Sequence, residues 1–380
     1  MPSAAELRRR RDEIVHRAGR ATSAAEIFAA VSSPLRALVP FDAAAWLGTD
    51  PGTGLPTSPV RIDDLDGISS SMCATHWQRE LLVDDVNLFR HLARSDTPAG
   101  ALRATVDDPR QSPRYRRFVA PLGFHDELRA VLRVGDAPWG TVTLWRRPGA
   151  GPDGGAFTSR EIRLVADLTA PLGEALRRQA RPTDCPGAGP GAGPGAGDGS
   201  GPDRPGLLLF DGDGALTSMN DEARAWLEEL GPEPGVTTDH GDVPLWLLVT
   251  MYRAAAVRHG EGDGTARTRA RTRRGRWLVC HASCLRRPDG GFGPVAVMIE
   301  PAQPAAIAPI VVEAYDLTER EQQIVRLIAR GASTAEIAGE LYLSPHTVRD
   351  HVKAIFAKAE VSSRGELTAK LFADFYSDRH

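Results

Sequence analysis

Lysine is nearly missing from this chain. Of 46 Lys plus Arg in 380 residues only three are lysine, Lys353, Lys358 and Lys370, and all three fall in the last 28 residues. A nucleotide-binding P-loop places a lysine beside the β- and γ-phosphates, and a protein kinase carries one on its third strand, so both designs are excluded before residue 353. A phospho-acceptor receiver also needs a lysine. The acid pair Asp84 and Asp85 in "ELLVDDVNLFRHLARS" therefore resembles a receiver only superficially.

Cysteine is scarce too. Cys73, Cys185, Cys280 and Cys284 lack the spacing of a disulfide framework, and nothing suggests export. No run approaches the roughly 18 to 20 apolar residues a membrane span needs. The start, "MPSAAELRRRRDEIVHRAGR", has a charged helical pattern with no apolar h-region, so no secretory signal is read and cytoplasm is the expected location. A net charge of −3 selects no partner by itself, and 42% hydrophobic with 25% charged residues is an ordinary globular composition.

What is plentiful is glycine and proline in one place. Residues 182–205, "PTDCPGAGPGAGPGAGDGSGPDRP", hold 14 Gly or Pro in 24. Such a segment buries no core and reads as a flexible linker spanning ~27 Å r.m.s.. It separates a front domain, residues 1–181, from the rest.

The front domain reads as α+β. A helix over "SAAEIFAAVSSPLRALV" precedes a hairpin, "AAAWLGTD" and "LPTSPVRI", joined through Pro51-Gly52-Thr53-Gly54. Helices and loops follow, then a second hairpin, "DELRAVLRV" and "GTVTLWRR", and a long helix opened by Thr158 with Glu161 three residues on, a capping box. This order resembles a GAF domain. After the linker, residues 206–300 give two short strands around Asp211-Gly212-Asp213-Gly214, a helix capped by Asn220, the apolar helix "PLWLLVTMYRAAAVRH" and three strand-like runs. That order resembles a PAS domain, and it too is α+β. A proline-containing connector, 301–312, leads to the last domain, 313–380.

The last domain is the best punctuated. Thr318 with Glu321, Ser333 with Glu336 and Ser363 with Glu366 are capping boxes, Ser344 followed by Pro345 is a fourth helix start, and Gly331 ends the first helix. Four helices follow, 319–330, 334–341, 345–359 and 364–376, and they are too short to persist unless they pack together. Only "YLS" separates the second from the third. A short turn between two such helices is the geometry of a helix-turn-helix, whose second helix enters the DNA major groove. On that helix, "PHTVRDHVKAIFAKA", Val348, Val352, Ile355 and Phe356 form the packing face. His346, Arg349, Asp350 and Lys353 form an outward stripe at i, i+3, i+4 and i+7. Arg and Lys donate to guanine O6/N7, and Asp accepts from cytosine N4, so these four are the base-reading candidates. Thr334, Ser344, Thr347 and Lys358 are candidates for holding the phosphate backbone.

From Leu317 the chain resembles the LuxR/NarL-type DNA-binding domain. The matching residues are Leu317-Thr318, Arg320-Glu321, Ile328-Ala329, Gly331, Glu336-Ile337-Ala338, Leu343-Ser344, Thr347-Val348-Arg349, His351-Val352, and Val361 with Arg364. The resemblance implies an all-α four-helix domain in which Arg349, Asp350 and Lys353 read bases, and a last helix that dimerises through Leu367, Leu371 and Phe375. One departure is "KAEV" at 358–361, where the family often has Lys-Leu-Gly before the valine.

Other groupings carry less. Arg267, Arg269, Arg271 and Arg273 share one face of a strand and suit an anion, an acidic partner or, more simply, an ion-paired sheet face. Cys280, His281 and Cys284 suggest a metal, but alternation sends His281 to the face opposite the cysteines, so no metal site is expected. His76, His125 and Cys73 are the residues a haem or bilin would use, and a structural role is favoured for them. No catalytic set emerges.

The expectation is therefore a multidomain regulator and not an enzyme, without cofactor. A homodimer would bind a pseudo-palindromic site in double-stranded DNA, with RNA polymerase as a further contact, no membrane, and a ligand or partner sensed by the front domains. Two alternatives stay open. Residues 313–380 hold 9 Lys plus Arg against 11 Asp plus Glu, which suits a protein-interaction adaptor that no longer grips DNA. An enzyme housed in the front domains is the other.

Overall fold

Two separate sets of strands build two five-stranded antiparallel sheets, and a set of capped helical runs builds the C-terminal region. The computed structural model describes residues 4–65, 76–77, 79–151, 153–181, 204–231, 243–273, 276–303, 306–307, 310, 314–315 and 317–367. The expected linker, apart from Arg204 and Pro205, lies outside them, as do Cys73, Cys185, Leu371 and Phe375. By compactness the chain divides into Met1–Leu176 with Gly201–Pro301, and Arg177–Ser200 with Ala302–His380.

The first unit opens with helices α1 (Ala4–Arg20) and α2 (Ala24–Leu38), the latter capped by Ser23, whose hydroxyl accepts from the Glu26 N–H at 3.2 Å. Strands β1 (Ala43–Thr49) and β2 (Pro56–Asp63) form the first expected hairpin, and β4 (Asp126–Val134) and β5 (Ala137–Arg146) the second. A three-residue strand the sequence did not announce, β3 (Ala99–Ala101), pairs with β4, giving the order β2-β1-β5-β4-β3. Helix α3 (Ser159–Gln179) carries the expected capping box, with the Thr158 N–H donating to Glu161 at 2.8 Å and the Glu161 N–H donating back at 3.2 Å. It buries Val165, Leu168, Leu172 and Leu176.

The first sheet holds ionic groups out of water. Arg129 pairs with Glu80 at 2.8 Å and Arg114 with Glu127 at 2.7 Å, and Trp145 Nε1 donates to Glu127 at 3.1 Å. His76 packs 4.4 Å from the Phe118 ring, and burial together with Arg129 and Arg114 holds its pKa well below the usual imidazole range. His125 is only partly buried.

The second sheet takes β6 (Gly206–Phe210), β7 (Leu216–Met219), β8 (Thr265–Arg271), β9 (Trp277–Arg286) and β10 (Phe292–Pro301) in the order β7-β6-β10-β9-β8. Helix α4 (Asp221–Leu230) is capped by Asn220, which accepts from the Ala223 N–H at 2.9 Å. Helix α5 (Leu245–Ala255) is apolar all round, and every residue from Leu245 to Tyr252 is buried. A helix without a polar face has to be covered on all sides. Here α5 packs on β8, β9 and β10 of its own sheet and on β2 of the other.

The two sheets also meet edge to edge at β2 and β8. Arg269, 3% exposed, donates its backbone N–H to Asp50 at 3.0 Å and its guanidinium to the same carboxylate at 2.9 Å, while Asp50 is fully buried. The Thr57 hydroxyl donates to the Arg269 carbonyl at 2.6 Å. Of the arginine row, Arg269 is thus an ion-paired seam residue and Arg267 faces solvent. On β9, Cys280 and Cys284 point into the core, and His281 lies on the opposite face, 3.7 Å from Glu300. Among the described residues no helix is long and apolar enough to cross a membrane.

Candidate nucleic-acid interface

The second unit is built on three described helices, α6 (Glu319–Ala329), α7 (Thr334–Glu340) and α8 (Pro345–Ala359), and a further helix begins at Arg364. The capping boxes form as the sequence required. Thr318 N–H donates to Glu321 at 2.7 Å and Ser333 N–H to Glu336 at 2.7 Å, each returned by the partner's backbone N–H at 3.3 Å. At the last helix Glu366 bonds Ser362 instead, accepting its N–H at 2.6 Å, while Ser363 accepts from the Glu366 N–H at 3.1 Å. Gly331 ends α6 at φ +83°, a left-handed conformation that glycine adopts without strain.

The helices bury one shared core. Ile324, Leu327 and Ile328 of α6 meet Ile337 and Ala338 of α7 and Val348, Ile355 and Ala359 of α8. Val352 and Phe356, expected in this face, are only half-buried. Leu367 is 1% exposed, so the first of the three dimerisation candidates packs inside its own domain.

Polar ties fix the angles between helices. Arg320 donates to the Leu341 carbonyl at 2.6 Å, holding α6 to the end of α7. Arg364 donates to the Ala332 carbonyl at 2.9 Å and to Thr334 Oγ1 at 2.8 Å, holding the last helix to the start of α7. Lys358 Nζ donates to Glu321 Oε2 at 2.7 Å, holding α8 to α6. Burial works to raise the Glu321 pKa, but the Lys358 ammonium and the Thr318 donors outweigh it and hold the carboxyl below its usual value.

Two of these ties bear on the backbone-holding candidates. Lys358 is directed at Glu321, and Thr334 accepts from Arg364. The other two, Ser344 and Thr347, cap α8: Ser344 Oγ accepts from the Thr347 N–H at 3.0 Å and lies 2.8 Å from its hydroxyl. The ties were missed because a sequence shows which residues are basic but not which carboxylate or carbonyl they meet across the fold.

Four residues, Leu341 to Ser344, separate α7 from α8, one more than the expected Tyr-Leu-Ser. Leu343 N–H donates to the Ala338 carbonyl at 2.9 Å, and Tyr342 sits at φ +54° with 95% of its surface exposed. Beyond it, His346, Arg349, Asp350 and Lys353 all stand exposed on α8. His346 Nδ1 lies 3.0 Å from Asp350 Oδ2, an i,i+4 pair open to solvent and therefore weak. At the far end Glu360 caps α8 at φ +54°, so the position where the family often has glycine is left-handed here as well.

Residues 316–371 match the family of bacterial regulatory proteins, luxR family. Over 63 residues the chain is 44% identical to the uncharacterized transcriptional regulatory protein YhcZ of Bacillus subtilis (strain 168) and 40% identical to the transcriptional regulatory protein DesR of the same organism. Each alignment covers 17% of this chain and, respectively, 28% and 32% of the relative, so the chain spans about a third or less of the relatives' length. Among solved structures, the crystal structure of Escherichia coli SdiA aligns over 97% of this chain and 98% of that one at 13% identity, with a TM-score of 0.35. The C-terminal region is thus a LuxR-family helix-turn-helix domain, and its homologues are transcriptional regulators.

Proposed function

We propose that this chain is a bacterial, one-component-like transcription regulator that binds double-stranded DNA in the cytoplasm as a homodimer. The observation that carries the proposal is the exposed stripe of α8, set beside a short turn and held by ties to neighbouring helices. Arg349 and Lys353 are the guanine readers in this scheme, Asp350 the cytosine reader, and His346 their neighbour at the entering end of the helix. Ser344, Thr347 and Thr334 lie where a backbone phosphate would approach, and Lys358 contributes by orienting α8. Leu371 and Phe375 carry the dimer contact, with Leu367 supporting them from the core. Two-fold pairing then favours a pseudo-palindromic operator.

The first unit acts as the sensor. The element order of its two sheets supports a GAF-like domain followed by a PAS-like domain, and a ligand or protein partner bound there would shift the balance between a sequestered and a dimer-competent DNA-binding domain. Contact with RNA polymerase follows for an activator.

In-vitro selection of random duplex DNA on the full chain and on residues 306–380 tests the proposal. A two-fold site enriched by the fragment and not by the full chain supports DNA binding with restraint by the front domains. Equal enrichment supports DNA binding and removes the restraint. No enrichment at low salt overturns the proposal in favour of an adaptor, the reading that the acidic balance of residues 313–380 favours.

A further inference from the structure

We infer that Tyr342 is a contact to the DNA sugar-phosphate backbone, held at the entering end of α8 by a left-handed turn. The inference rests on the DNA-binding proposal above and adds a residue outside the base-reading stripe.

Tyr342 is exceptional among the described residues. It is 95% exposed, whereas the other exposed large apolar side chains, Leu207 and Leu285, reach 42% and 40%. Its φ of +54° lies in the region that glycine or asparagine occupies with less strain than a tyrosine does. The side chain gives nothing to the core, and the backbone it occupies would suit a smaller residue better. Both features disfavour tyrosine in the isolated domain, and both are compensated if the ring and hydroxyl meet a surface.

The turn is firmly fixed beneath that side chain. Tyr342 N–H donates to the Gly339 carbonyl at 3.4 Å, Leu343 N–H to Ala338 at 2.9 Å, and Arg320 clamps the Leu341 carbonyl at 2.6 Å. Two residues on, Ser344 caps α8, and His346 begins the exposed stripe. A recognition helix enters the major groove by its N-terminal residues, so a side chain projecting just ahead of that end meets the groove wall, which is phosphate and deoxyribose. The phenol hydroxyl donates to a phosphate oxygen, and the ring covers the sugar. Glu360, the left-handed residue at the opposite end of α8, presents a carboxylate that phosphate would repel, so only the Tyr342 end suits the backbone.

Fluorescence anisotropy of the full-length protein on the duplex obtained by selection tests this, with the wild type, Tyr342→Phe and Tyr342→Asn compared on that duplex and on its single-base variants across a salt series. Loss of one hydrogen bond to phosphate predicts about tenfold weaker binding for Tyr342→Phe. That loss is equal on every duplex, and the slope of log affinity against log salt is unchanged because tyrosine carries no charge. Tyr342→Asn loses at least as much affinity while its melting temperature is not lowered. Variants that bind like the wild type, a loss confined to one base position, or a loss that tracks a lowered melting temperature each overturn the backbone contact and leave DNA binding standing. Selection in which neither the full chain nor residues 306–380 enriches a site at low salt overturns both.

Discussion

Lys358 Nζ lies 2.7 Å from Glu321 Oε2, joining the last turn of α8 to the capping box that opens α6. The lysine is 32% exposed and the carboxylate 6%, so the pair is mostly shielded. Lys358→Ala should lower the stability of this domain by about 1 kcal/mol, between the exposed and the buried ion-pair cases. A lysine that held phosphate would instead reduce the salt slope of DNA binding by about one. Thermal unfolding and a salt titration of the same variant separate the two roles.

The capping carboxylates make this domain sensitive to acid. Glu321, Glu336 and Glu366 are all held below the ordinary value of 4.5, the last two by backbone N–H groups at Ser333 and Ser362. A carboxyl with a depressed pKa in the folded state gives stability that is present above the unfolded value and lost as pH falls through the folded one. The helical signal should therefore weaken below about pH 4.5. Glu321→Gln should flatten that fall, measured as melting temperature against pH.

Glu360 occupies a left-handed position with φ +54° and ψ +46°. Glutamate is strained there and glycine is not, so Glu360→Gly should stabilise the domain by about 0.5–1 kcal/mol after the extra freedom of the unfolded chain is counted. Urea unfolding reads it, and an unchanged midpoint would show that the cap tolerates glutamate without strain.

Asp50→Ala leaves the Arg269 guanidinium buried without its carboxylate, and should destabilise the first unit by about 3–5 kcal/mol. Replacing both partners by apolar residues of similar size should recover most of that loss, because no charge is then stranded. Urea midpoints of the single and double variants decide it.

Arg349→Ala should cost about 1–3 kcal/mol of DNA affinity and relax preference at one base pair. A loss spread evenly over all sequences would place Arg349 on phosphate.

The C-terminal helices were legible because their signals are local. Ser or Thr with Glu three residues on, proline at a first helical position and glycine at a helix end each act within one turn, and all appear close to where the sequence puts them. The hairpins around residues 51–54 and 135–139 were equally readable from strand-like runs meeting at glycine- and proline-containing turns. Long-range partners were not. Nothing local marks Asp50 as the partner of Arg269, 219 positions away, or Lys358 as the partner of Glu321. The run that forms α5 was readable as a helix, but not that β2 supplies part of its cover.

The Gly/Pro segment invites dissection of the chain at residues 182–205, and the β2–β8 seam argues against it. Cut there, the fragment that starts near Gly206 would present β8 as a raw margin, with the Arg269 N–H and C=O no longer met by Asp50 and Thr57, and with the outer side of α5 bare. Such a margin templates pairing between copies. A soluble piece for ligand screening should therefore run unbroken from the first helix to the end of β10 and keep the segment that looks most dispensable.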